Sequence, residues 1–274
     1  MKNTLFFTGL LFAFFLMVSC SEDDETIIKE VDKVIKEEVI VNGSKVTLTF
    51  NNVIGTEDFE LNHNYTVGGI NYNFKSLRYW VSNVGFKKTD GSVAQIPNSY
   101  YLIENTEDVA VQEGAYTYEG QKREDVTISD LKVGTYTSVI FSVGVDQEHN
   151  DNLSLNAGEL SSMVGMTNVS WMWHTSYIFT SLKGTAENGD SKDIEIETGL
   201  NANYRTIELK LPQAIEVIND SSYQININAN VLTTLNSFDP WENPVVGASQ
   251  PQLMKAVSDN FATSFFSISV PEED

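Results

Sequence analysis

Phe141 to Gly184 reads FSVGVDQEHNDNLSLNAGELSSMVGMTNVSWMWHTSYIFTSLKG: a strand, a long polar excursion and a second strand. Alternation opens it, with Val139, Phe141, Val143 and Val145 set against Ile140, Ser142 and Gly144. Alternation also closes it, with Tyr177, Phe179 and Ser181 set against Ile178, Thr180 and Leu182. A connection this long inside a compact domain signals a functional loop, an embedded helix or both. Gly158 to Gly165 is expected to supply a short helix, with Leu160, Met163 and Val164 on one side and Gly165 as its stop.

Outward from this stretch the same period-two pattern recurs. Val46–Phe50, Asn71–Phe86, Val93–Ile96, Tyr100–Ile103, Val126–Ile128, Ile194–Ile196 and Thr206–Leu211 all read as strands, with hairpin turns at Asp90-Gly91 and Asn188-Gly189. The clearest alternation sets Tyr223, Ile225, Ile227, Ala229 and Val231 against Gln224, Asn226, Asn228 and Asn230, and reads as an antiparallel strand wet on one face. Leu253, Val257 and Phe261 recur at helical spacing before a last strand, Phe266–Val270. Roughly ten short strands with turns between them and few helices predict an all-β, antiparallel β-sandwich with a short C-terminal helix and a long functional crossover loop.

The chain has 274 residues and a formal net charge of -21. Such acidity argues against a nucleic-acid partner, because phosphates must be neutralised by Lys and Arg. The N-terminus reads as a processing signal, with Lys2 before the apolar run Leu5–Val18, which is too short to span a membrane. Cys20, the single cysteine, follows Leu16-Met17-Val18-Ser19 as in a bacterial lipobox, so it is the expected lipidation site and membrane anchor. Ser21-Glu22-Asp23-Asp24-Glu25 resembles the acidic tag of Bacteroidetes-type surface lipoproteins. The expectation is an outer-membrane lipoprotein of the cell envelope, surface-exposed or otherwise periplasmic. Its parts are a signal peptide (1–19), an acidic tether with a possible short helix (20–44) and one sandwich domain (45–274). With one cysteine no internal disulfide can form, so stability rests on the core.

Asp146, Glu148, Asn150, Asp151 and Asn152 gather oxygen ligands in one loop, the donor type that hard cations select, which makes calcium a possible cofactor. The spacing is not that of an EF-hand. Trp171 and Trp173 share one side of any extended segment, either as core or as a ligand-stacking platform beside Tyr177. No Gly-x-Ser-x-Gly, His-Glu-x-x-His, phosphate loop or dinucleotide fingerprint is present, so no enzyme activity is expected.

Gly144-Val145-Asp146 with Asn150, then Gly158, Met166, Trp171-Met172-Trp173, Tyr177-Ile178-Phe179 and Lys183-Gly184 together resemble the MbnP-like family. Leu48-Thr49-Phe50, Leu77 to Val84 and Ala256 to Phe261 extend the resemblance over most of the chain after about residue 45. Described members are copper-associated bacterial export proteins linked to the peptide methanobactin, and methanotroph surface proteins in which a tryptophan oxidised to kynurenine helps histidines hold copper. The resemblance implies a metal or small-molecule ligand, copper as cofactor, and a di-haem peroxidase or TonB-type receptor as partner. Cu(I) favours imidazole or soft ligands, which directs attention to His63, His149 and His174, His174 foremost, with Met163, Met166 and Met172. Family members that bind copper carry histidines where this chain has Asn52 and Glu197, so the copper site is expected to be weakened. The competing expectation is a glycan-binding or interaction module with Trp80, Tyr100, Tyr101 and Trp241 as a stacking surface.

Overall fold

The computed structural model describes residues 44–111, 114–168 and 176–269. Cys20, the signal and tether, Trp171, Trp173 and His174 lie outside the described residues.

The principal strands are β1 (Ser44–Ile54), β2 (Ile70–Lys88), β3 (Tyr100–Thr106), β4 (Asp125–Leu131), β5 (Gly134–Val143), β6 (Ser176–Asn188), β7 (Asp190–Gly199), β8 (Arg205–Val217), β9 (Ser222–Asn230) and β10 (Phe266–Ile268). Among the described residues three α-helices accompany them: α1 (Gln147–Asn150), α2 (Val231–Leu235) and α3 (Pro251–Thr263). The smaller sheet runs β4-β1-β9-β10 and the larger β8-β5-β2-β6-β7, continued by Val245–Val246. The result is an all-β sandwich with a helix near its C-terminus.

Between the sheets, β1 buries Ser44, Val46, Leu48, Phe50, Asn52 and Ile54 and leaves the alternate residues between them more exposed. Phe50 packs edge-on against Phe141 at 5.5 Å and Phe266 at 6.0 Å, while α3 adds Phe261, stacked on Phe265 at 4.1 Å. Each such pair contributes about 0.5–1.5 kcal/mol beyond the area it buries. The α3 helix forms where Met254, Val257 and Phe261 recur on one buried face behind a proline in its first turn.

One pairing differs from the sequence expectation. The strand β9 lies parallel to β1, with Phe50 opposite Ile227, and antiparallel only to β10. Alternation fixes which side chains face inward but is the same in either direction, and the partner strand lies far away along the chain.

The long strand β2 organises the larger sheet. Its Tyr79 pairs with Thr180 on one side and Ile103 on the other, and Val81 likewise with Val143 and Tyr101. From Ser76 to Ser82 every residue is buried, because both faces are covered. Leu77, Tyr79 and Val81 enter the main core, whereas Trp80 enters a second one with Tyr100, Leu102, Val145, Leu160, Met166, Tyr177 and Phe179. The crossover supplies much of this second core. Its described residues fold back over the outer face of the larger sheet as a third layer. The helix expected at Gly158–Gly165 is a single turn at Ser162–Val164, and Gly165 ends it at φ 71° as anticipated.

Candidate functional site

At the start of the crossover, β5 delivers Asp146 to a corner formed with β2 and β3. Gly144 makes the bend, at φ 106°, and a Cβ there would lie 2.5 Å from the Phe179 ring. Only glycine fits both the conformation and the space. Asp146 then caps α1, its side chain accepting from the His149 backbone N–H.

Three side chains converge on that carboxylate. Asn83, held in the left-handed region at φ 50°, donates its amide to Asp146 Oδ2 at 3.2 Å. Tyr100 Oη donates to the same oxygen, and His149 Nδ1 lies 3.0 Å from both Asp146 Oδ1 and Tyr100 Oη. Tyr204, from a distant turn, accepts from Asn83 at 2.6 Å and closes the network. Burial acts to raise the Asp146 pKa, but the hydrogen bonds from Tyr100, His149 and Asn83 outweigh it and hold the carboxyl below its ordinary value. The same pairing, added to burial, pushes the Tyr100 phenol well up.

Glu148 stands beside this pair, exposed, and one ligand atom from each of Asp146, Glu148 and His149 lies within 4.8 Å of the others. With Nδ1–H donated to Asp146, the imidazole keeps its lone pair on Nε2, the arrangement in which a carboxylate orients a ligating histidine. Two carboxylates and an imidazole suit a divalent cation of hard or borderline type, and offer no soft sulfur.

The other expected ligands are placed elsewhere. Asn150 is fully buried, its Oδ1 accepting from the Tyr177 N–H at 2.9 Å and its amide donating to Asn201 at 2.8 Å, so it ties α1 to β6. Asn152 spends its Oδ1 on the N–H and hydroxyl of Ser154, forming an Asx turn. Tyr177 is 1% exposed and packs edge-on against Trp80 at 5.9 Å, which makes it core and not a ligand platform. The expected glycan-stacking surface loses two of its four rings to the core. Trp80 and Tyr100 are buried, and Trp241 packs on the main core with Lys192 4.2 Å over its ring.

Asn52 and Glu197 do not converge either. Asn52 lies between the sheets, accepting from Tyr79 Oη at 2.9 Å and donating to Glu124 at 3.0 Å. Glu197 sits on the opposite face of the larger sheet, level with Ser181 and Arg78 and paired with Lys183 at 2.9 Å. His63 is exposed against Tyr65, and Met166 is buried in the second core.

Sequence reasoning singled out Asp146, Glu148 and His149 but not Tyr100, Asn83 or Tyr204 as their supports. Only the left-handed Asn83 carried a local trace of its role, since Asn tolerates that conformation.

The MbnP family profile matches residues 43–254. Among solved structures, MbnP from Methylosinus trichosporium aligns with a TM-score of 0.53 at 14% identity, covering 84% of this chain and 100% of that one. Comparison with the curated proteins finds no match. The fold likeness to that structure and the profile running through most of the described sandwich agree, and the chain belongs to the MbnP family.

Proposed function

We propose that the protein is a lipid-anchored binding protein of the bacterial envelope that captures a metal ion or a metal-bearing small molecule and has no catalytic activity of its own. The observation that carries this reading is the convergence of Asp146, Glu148 and His149 within 4.8 Å, with Tyr100 and Asn83 holding the carboxylate in place. Family membership favours copper as the cargo, while the donor set suits a cation such as zinc or calcium at least as well. The strong acidity raises local cation concentration at the surface. Lipid at Cys20 would hold the domain at the outer membrane, where a di-haem peroxidase or a TonB-type receptor is the expected partner.

Isothermal titration of the purified protein with Cu⁺, Cu²⁺, Zn²⁺ and Ca²⁺ tests the binding. Saturable heat with at least one ion, abolished in Asp146→Ala and His149→Ala, is the expected result. Absence of heat with all four, or heat that survives both substitutions, would remove the corner as the site.

A further inference from the structure

Away from the Asp146 corner, the outer face of the larger sheet carries a pocket of about 280 Å3. Ala110 and Gly165 stand at its sides, and its floor is made by β2, β6 and β7. The register sets Arg78 level with Ser181 and Ser181 level with Glu197, so their side chains share the face beneath the pocket. That floor is polar and nearly closed to solvent: Ser76, Arg78, Ser181 and Glu197 are all under 9% exposed. Buried hydroxyls and carboxylates cost stability unless they are paired, and an apolar sheet face would have covered this position at lower cost.

Arg78 is already committed to Glu104 and to the Val164 carbonyl. What faces the pocket is the Lys183–Glu197 pair, 2.9 Å apart, with the half-exposed Lys183 ammonium also donating to Glu195 at 2.6 Å from its outer side. Glu197 Oε1 takes Lys183 and, at 3.3 Å, the Ser181 hydroxyl, and among the described residues its other oxygen has no partner. Burial pushes the Glu197 carboxyl upward against the pull of Lys183. Exposed Lys75, Glu107 and Asp108 repeat the mixture of signs at the rim. The Lys183 ammonium at the edge of the floor repels a metal cation, and among the described lining residues no aromatic ring offers the usual sugar-stacking face. The volume falls below the roughly 300–1,000 Å3 of pockets for drug-sized ligands.

We infer that this pocket binds a zwitterion of free amino-acid size, its ammonium against Glu197 and its carboxylate against Lys183. The inference is independent of the metal corner, which lies at another position on the same face.

The test is calorimetric titration of the purified protein with each common L-amino acid in turn, folding being checked by circular dichroism. At least one amino acid gives saturable heat. Glu197→Gln weakens it roughly tenfold or more, as loss of a charge-assisted hydrogen bond should. On the unaltered protein, the N-acetyl and C-amide derivatives of that amino acid also bind roughly tenfold or more weakly. No heat from any amino acid overturns the proposal, as does binding that is indifferent to Glu197→Gln or to blocking either end of the ligand. Should Glu197→Gln fail to fold, the blocked derivatives alone decide.

Discussion

Asp146 is a single carboxylate asked to do three things: cap α1, fix the tautomer of His149 and accept from Tyr100. Its depressed pKa links it to stability. A carboxyl held below its ordinary value of 3.8 stabilises the fold at any pH well above that value, and the contribution is lost as pH falls through 3.8 toward the lower folded pKa. The metal-free protein should therefore lose stability on acidification below about pH 4 partly through this residue. Asp146→Asn tests that part, because asparagine is an equally good N-cap and leaves α1 capped while removing the charge. The variant is expected to be about 1–2 kcal/mol less stable in urea at neutral pH. The difference should shrink toward pH 3. A constant difference across that range would assign the loss to packing instead of charge. Sequence alone disclosed the acidic loop, yet not that Asn150, at the far end of α1, would be spent on the Tyr177 N–H and Asn201. Which oxygens in a polar loop remain free depends on backbone groups that pass nearby in space, and these leave no mark on spacing.

Among the elements, β2 shows where pattern reading stops. Leu77, Tyr79 and Val81 were legible as the inward row. Alternation sets Arg78, Trp80 and Ser82 on the opposite row, and all three are buried as well. Period two reports that a strand has two faces, not whether a distant segment later covers the second. The cover is pinned electrostatically. Arg78 and Glu104, each 2% exposed, pair at 2.8 Å, Arg78 Nη2 reaches the Val164 carbonyl at 2.6 Å, and Glu104 accepts from Tyr118 Oη at 2.6 Å. Burial and that carboxylate push the Tyr118 phenol up to about 12. Removing one partner leaves the other charged in a site with little water. Arg78→Met should therefore cost about 3–5 kcal/mol in chemical denaturation. Arg78→Met combined with Glu104→Leu should cost clearly less than the single change, since no charge is stranded. Equal losses in the single and double variants would mean that the pair acts through its hydrogen bonds to the crossover and not through its charge.

For the whole molecule, two opposing electrostatic effects can be ranked. Ion pairs such as Lys87–Glu208, Lys183–Glu195 and Lys255–Asp259 sit on the surface, where each contributes about 0–1 kcal/mol. Against them stands a formal charge of -21, with 38 acidic residues facing 17 basic ones, so that most carboxylates have no cationic partner available. Like-charge repulsion opposes the compact state, and salt screens it beyond a Debye length of about 10 Å at 0.1 M. Repulsion among the unpaired majority is a long-range effect, whereas the bonded pairs are a few ångströms apart and are screened less. Repulsion should win, so the metal-free protein gains thermal stability as sodium chloride rises from about 0.01 to 0.2 M at pH 7. A scanning-calorimetry series checks this, with a chelator present so that no divalent ion bound at the Asp146 corner contributes. A melting temperature that falls with added salt would reverse the ranking and mean that attraction within the surface pairs, few as they are, outweighs the repulsion among the unpaired carboxylates.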